Sequence, residues 1–308
     1  MLVVLTGGTG GAKLIEGLSH EIDPAQLTII CNTADDFVLH GLNISPDLDT
    51  IMYALAGLSD PEQGWGIQGD TFTALQQLEK LGGETWFKLG DKDIATHITR
   101  TRLLREGLKL SDITDRLREH LHIRARIFPM SNDGIETRVE TPEGVISFQE
   151  YFVKRRWQPE VKKVLYAGVK NSRPAPDVLQ AIGDAAGIIV CPSNPITSIG
   201  PILAVPGIRD ALKQATAPII GVSPMIGELA ISGPAHKLMA AEGMEPSAFG
   251  AAKGYADFLD QFVIDSEDEA LTNKLETLGI GVVATSIRMK SLADKMGLAR
   301  QVLALVDK

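Results

Sequence analysis

Cysteine is nearly absent: Cys31 and Cys191 are the two in 308 residues. They lie far apart, and each closes an apolar run. This argues against a disulfide scaffold and for buried thiols in a reducing compartment. Long apolar runs are missing too. No stretch approaches 18 uninterrupted apolar residues, so no membrane span is expected. The apolar opening stops at Thr6 and lacks the basic flank, length and cleavage site of a leader, so a cytoplasmic location is expected. Positive charge is in deficit, with 30 Lys and Arg against 39 Asp and Glu and a net charge of −9. A nucleic-acid polyanion requires a basic face, so no nucleic acid is expected as partner. A small anionic ligand stays open to such a chain, held by backbone amides, a divalent cation and a few lysines.

What is present is a core-forming composition, 44% hydrophobic and 22% charged, large enough to fold without disulfides or a structural metal. Residues 2–5 read as a buried strand, 6–11 as a glycine loop, 12–18 as a helix and 27–31 as a second strand. That opening marks a parallel α/β sheet. The pattern returns with strands at 187–191, 218–222, 261–264 and 281–284, helices at 208–213 and 267–278, and a closing helix at 292–306. The expected fold is a doubly wound, mainly parallel Rossmann-like sheet in one domain, 1–308. The middle differs. Helical spacing at 48–58, 71–81, 94–106 and 112–121, with Ser111 as cap for the last, is followed by strands at 124–128, 136–141 and 145–148. Residues 60–160 therefore read as an α+β insertion beside the sheet.

Four stretches carry chemistry. Thr6-Gly7-Gly8-Thr9-Gly10-Gly11-Ala12-Lys13 places glycines between strand and helix, where backbone approaches a ligand closely and a helix N-terminus favours phosphate. It is neither a P-loop, since Lys13 is followed by Leu14, nor an NAD fingerprint, since the second strand ends in Asn32 rather than an acid. Asn32 is a candidate for a nucleotide hydrogen bond or for capping the strand end. Asn32-Thr33-Ala34-Asp35-Asp36 and Ser45-Pro46-Asp47-Leu48-Asp49-Thr50 bring four carboxylates to loops at the carboxyl edge. Oxygen ligands of this kind suit a hard divalent cation such as Mg²⁺. Asp36 and Asp49 are the expected ligands, and helix capping suffices for Asp47. Lys88-Leu89-Gly90-Asp91-Lys92-Asp93 is followed by His97 and Arg100. Lys88 and Arg100 are candidates for phosphate or leaving-group contacts, His97 for a structural histidine, and Trp65 and Trp86 for stacking on a flat ring or for the core. Finally, Cys191-Pro192-Ser193-Asn194-Pro195-Ile196-Thr197-Ser198 exposes hydroxyls, an amide and free N–H groups directly after a buried strand, which suits phosphate or sugar oxygens. Ser223-Pro224 and Ser232-Gly233-Pro234-Ala235 extend that polar edge.

Taken together and in order, these motifs resemble the CofD family, from residue 1 to about residue 265. The resemblance implies a transferase that moves the 2-phospho-L-lactate group of lactyl-diphosphoguanosine, or a phosphoenolpyruvate-derived relative, to a hydroxyl of the deazaflavin Fo. GMP is released with Mg²⁺ present, in coenzyme F(420) assembly. It assigns Asp49 and Lys88 to Fo and the glycine and Ser193-Asn194-Pro195 loops to the nucleotide; joined to the reading of the residues, the expected catalytic set is Asp49, Lys88 and Asp36, with Trp86 beside Fo. The nucleotide falls to Gly7, Gly8, Thr9, Gly10, Asn32, Ser193, Asn194, Thr197 and Ser198. No Ser or Cys nucleophile with a paired His is evident, so direct displacement by the acceptor hydroxyl is the simpler mechanism. Partners are these small molecules, and a homodimer is compatible with the sequence. The rival is a related family of regulatory proteins that binds nucleotide sugars without catalysis. Asp49 and the Lys88-Leu89-Gly90-Asp91 stretch separate the two.

Overall fold

The computed structural model describes residues 1–61, 63–231 and 233–306. Ser232, in one of the polar stretches above, lies outside the described residues. The N-terminal half supplies strands β1 (Leu2–Thr6), β2 (Leu27–Cys31), β3 (Phe37–Leu39), β4 (Leu42–Ile44), β5 (Arg126–Pro129), β6 (Glu136–Thr141) and β7 (Gly144–Ser147). The remaining strands are β8 (Lys163–Ala167), β9 (Gly187–Val190), β10 (Ile219–Val222), β11 (Met225–Ile226), β12 (Leu229–Ala230), β13 (Gln261–Ile264) and β14 (Gly281–Ala284). Helices α1 (Gly8–Glu21), α2 (Pro46–Leu55), α3 (Thr73–Lys80), α4 (Asp91–Arg105) and α5 (Leu110–His120) belong to the first half.

Seven strands form one parallel sheet in the order β14-β13-β10-β9-β1-β2-β5. Both faces are covered: Val3, Leu5, Ile30 and Ile188 join one core, and Leu2, Val4, Ile29 and Ile189 the other. That double burial is why the strands read as continuous apolar runs. The chain moves outward from β1 through β2 to β5, then returns to the other side of β1 at β9. The order therefore reverses between β1 and β9, and ligands of open α/β sheets bind at the carboxyl ends beside such a reversal. The glycine loop follows β1, and Pro192–Ser198 follow β9.

The middle of the chain is divided differently from the expectation. Residues 60–160 do not stand apart as one insertion, because β5 enters the central sheet as its edge strand beside β2. β6 pairs with both β7 and β8 in a separate three-stranded antiparallel sheet that extends past residue 160. Two further differences concern ends and short elements. α5 starts at Leu110 with Lys109 in the cap position, so Ser111 lies in the first turn and does not cap it. The span 267–278 is a 3₁₀ turn, Ser266–Leu271, running into a short helix, Thr272–Glu276. The closing helix Leu292–Val306 packs on α1. Among the described residues no helix is long and apolar enough to cross a membrane.

Candidate functional site

A cleft of about 690 Å³ opens at the carboxyl edge of the sheet beside the β1/β9 reversal. One wall is backbone. No side chain of its N-cap residue caps α1, and Gly8, Thr9 and Gly10 of its first turn line the cleft. The glycines are there because neighbours leave no room. A Cβ on Gly7 would come within 2.6 Å of Asp47 Oδ2 and 2.8 Å of Ser198 Cβ, and one on Gly10 within 2.5 Å of the Pro192 carbonyl oxygen. Ser193 Oγ accepts a hydrogen bond from Gly7 N at 3.4 Å, joining the loops after β1 and β9. Asn194 uses its side-chain oxygen internally, accepting from Ile196 N at 2.9 Å and Thr197 N at 3.3 Å. Ser193, Asn194, Thr197 and Ser198 all line the cleft.

Asn32 is fully buried and lies outside the lining. Its Nδ2 donates to Asp47 Oδ2 at 2.9 Å and to the Thr197 carbonyl at 3.2 Å, and its Oδ1 accepts from Ala34 N at 3.0 Å. The Oδ1 bond to Ala34 N caps the end of β2, and the two Nδ2 bonds brace that loop against α2 and the loop after β9.

The four carboxylates separate into two environments. Asp35 and Asp47 line the cleft, and both are buried. Burial, and then the charge of Asp47, push the Asp35 carboxyl well above its ordinary range. Burial pushes Asp47 up to about 6, against the hydrogen bonds from Asn32 and the Gly8 backbone. Asp35 Oδ1 has no hydrogen-bond partner among the described residues. Asp36 is elsewhere. It accepts from Ser45 Oγ at 2.6 Å and borders a second cavity behind the β3–β4 hairpin, and burial raises it despite Ser45 and Arg100. The expected Asp36–Asp49 pair is therefore not assembled in the cleft.

Asp49 lines the cleft from the first turn of α2, but its two oxygens are held from behind. Arg100, 1% exposed, donates Nη1 to Asp49 Oδ2 at 3.0 Å and Nη2 to Oδ1. Arg100 is thus no ligand contact; it neutralises Asp49. His97 stands beside them, with Nδ1 3.6 Å from Asp49 Oδ2 and Nε2 3.2 Å from Asp93 Oδ2. Tyr53 Oη donates to Asp93 Oδ1 at 2.6 Å. Burial raises Asp93, but His97 and the Tyr53 bond outweigh it and hold the carboxyl below its ordinary value. Asp49, Asp93 and His97 offer ligand atoms within 4.8 Å of one another. This chain of buried and partly buried polar groups was missed in the sequence except for its single members, because α4 carries charge all round.

Lys88 is exposed and lines the cleft opposite the glycine loop, with Trp86, Phe87 and Trp65 around it. Trp86 packs edge-on against Phe87 at 5.8 Å and tilted against Phe37 at 5.8 Å, and it borders both cavities. Phe148 and Phe152, stacked at 5.4 Å, add an apolar wall that the sequence reading did not anticipate. The cleft therefore offers neutral N–H and hydroxyl donors at one end, buried acids at its floor, and aromatic surface with a lysine at the other end. Such a set can hold a diphosphate beside a flat ring and align a hydroxyl between them.

Residues 2–296 match the family model described as 2-phospho-L-lactate transferase CofD, a longer match than the motifs alone suggested. The chain is 42% identical to the phosphoenolpyruvate transferase of Streptomyces griseus over 99% of its own length and 98% of that protein. It is also 42% identical to the 2-phospho-L-lactate transferase of Methanosarcina mazei, over 98% of this chain and 99% of the relative. A crystal structure of a UPF0052 family protein from Bacillus halodurans has the same fold, with a TM-score of 0.66 at 19% identity and 98% coverage of both chains.

Proposed function

The chain belongs to the CofD family, and on that premise we propose that it transfers a phosphorylated three-carbon acid from a guanosine diphosphate ester to a ribityl hydroxyl of the deazaflavin Fo. The observation that carries this reading is that one cleft gathers the glycine loop, the Ser193–Ser198 loop, Asp49, Lys88 and Trp86, which are remote in sequence. The donor's diphosphate lies along the amides of Thr9 and Gly10 and the hydroxyls after β9, and Fo lies between Trp86, Lys88 and Asp49. The acceptor oxygen attacks the phosphorus that bears the acid, the bond to the GMP oxygen breaks, and GMP leaves. Asp49, fixed by Arg100, orients the attacking hydroxyl, whose proton passes to a cleft carboxylate. The residues fit a hard divalent cation at Asp35 and Asp47, since both are cleft-lining oxygen donors and Asp35 Oδ1 has no other partner among the described residues. Asp49, with both oxygens on Arg100, fits one less well. Bound there, Mg²⁺ would supply charge to the donor's phosphate oxygens.

The test is a reaction of purified protein with Fo, lactyl-diphosphoguanosine and Mg²⁺, following GMP and the phosphodiester product together. Equal amounts of both are expected. Asp49→Asn should lower turnover by about 10²-fold. GMP release without a deazaflavin product would remove Fo as acceptor.

A further inference from the structure

Among the described residues, three Lys or Arg side chains line the cleft: Lys88, Lys154 and Arg156. Lys154 is already engaged, 2.8 Å from Glu84 and over the Trp86 ring. Arg155, next in the chain, is committed to Glu143 and Glu150. Arg156 has no ion pair or hydrogen bond of its side chain among the described residues.

Its backbone is also unusual. Arg156 and Trp157 both lie in the left-handed region, with φ of 49° and 46°. Bulky residues rarely occupy it, and two in succession persist only where the surroundings hold them. Here they do. Trp157 N donates to the carbonyl of fully buried Tyr151 at 2.8 Å, and Arg155 N to the Glu150 carbonyl at 2.8 Å. From the other side, Lys237 Nζ donates to the Trp157 carbonyl at 3.2 Å and lies 5.2 Å over the indole, with His236 edge-on to the same ring. The turn is pinned through Trp157, and it leaves Arg156, exposed, in the lining of the cleft.

The donor set of the cleft then shows what this guanidinium can serve. Amides of the glycine loop and hydroxyls after β9 suffice for a diphosphate, and Lys88 stands at the aromatic end. A phosphorylated three-carbon acid, whether phospholactate or phosphoenolpyruvate, carries one further anion, its carboxylate. The cleft floor is acidic and would repel it. A planar guanidinium fork matches a carboxylate with two parallel hydrogen bonds. We propose that Arg156 binds the carboxylate of the three-carbon acid in the donor, an assignment that rests on the transferase reading above.

The experiment measures binding of GDP, 2-phospho-L-lactate and isopropyl phosphate to the full chain and to Arg156→Ala, Arg156→Lys and Arg156→Gly. Isopropyl phosphate is the lactate ester with its carboxylate replaced by methyl. The wild type should prefer phospholactate over isopropyl phosphate by at least about tenfold, the usual factor for a charged hydrogen bond. Arg156→Ala should abolish that preference with GDP affinity unchanged within about twofold, and Arg156→Lys should keep part of it. Arg156→Gly should lose the preference with no loss of thermal stability, because glycine is at ease at positive φ. A preference that survives in Arg156→Ala overturns the proposal. So does a parallel loss of GDP affinity, which would move the guanidinium to the diphosphate. If the wild type binds none of the three probes, the transferase reading fails, and the assignment of Arg156 falls with it.

Discussion

The two ends of the cleft are built in opposite ways. At the β1/β9 reversal the ligand surface is backbone, and its residues are chosen for what they lack: Gly7 and Gly10 have no Cβ because Asp47, Ser198 and the Pro192 carbonyl occupy that space. At the α2/α4 end the surface is a set of polar side chains, Asp49, Arg100 and His97 buried and Asp93 partly so, each held by the next. A backbone surface fails when something is added to it. A charge network fails when one member is removed, since the partner is left buried and uncompensated.

Arg100→Ala should show the largest effect. It strands Asp49 and should destabilise the chain by about 3–5 kcal/mol in denaturant unfolding. A loss under 1 kcal/mol would mean that water replaces the guanidinium and that the network is not a unit. Gly10→Ala comes next. Its methyl would force the loop after β9 away from α1, an overpacking cost of about 1–3 kcal/mol. GDP affinity should fall at least about tenfold while Fo affinity stays, by calorimetry and fluorescence titration respectively. Equal losses of both ligands would erase the distinction between the two ends.

Asp47 sits where the two constructions meet, and its effect should be smaller and conditional. Its folded-state value of about 6 lies above its ordinary 3.8, with burial as the main cause. The folded chain therefore keeps a proton that the unfolded chain sheds. The stability this group contributes is full below about pH 4 and declines as pH rises to about 6. Thermal melts of Asp47→Asn, compared with wild type over that range, should lack this decline. Above pH 6, millimolar Mg²⁺ should raise the wild-type Tm by a few degrees and leave the variant unmoved. An equal Mg²⁺ response in both would take Asp47 out of the cation site.

The contrast also explains what could be read from sequence. The five interior strands of the central sheet were legible because both faces of the sheet are buried, and the glycine loop and the Pro192–Ser198 loop because each signal is contiguous. Their proximity came only with the strand order, which sets β9 beside β1. The α4 network was not legible. Asp49 and Arg100 are 51 residues apart, and α4 buries His97, Arg100 and Thr101 with Leu103 as its one buried apolar residue, so no apolar periodicity marks its inner face. Asp35 and Asp36 are adjacent in sequence but diverge in space, one to the cleft and the other to Ser45. Composition cannot choose between neighbours of the same type. The hairpin β3–β4 has strands of three residues, too short for alternation to register. β5 has apolar and charged residues like those of an insertion strand, and only its pairing with β2 sets it in the main sheet.

The division of the cleft is tested most directly at Lys88, which is exposed and can be removed without disturbing the buried network. Losing a hydrogen bond from a charged group costs about 1.5–3 kcal/mol, roughly ten- to more than hundredfold in affinity. Fo and GDP should be titrated separately against wild type and Lys88→Ala. The account predicts that Fo binding weakens by that factor while the GDP dissociation constant stays within about twofold. Unchanged Fo affinity with a collapse of GDP affinity would contradict it and place Lys88 with the nucleotide.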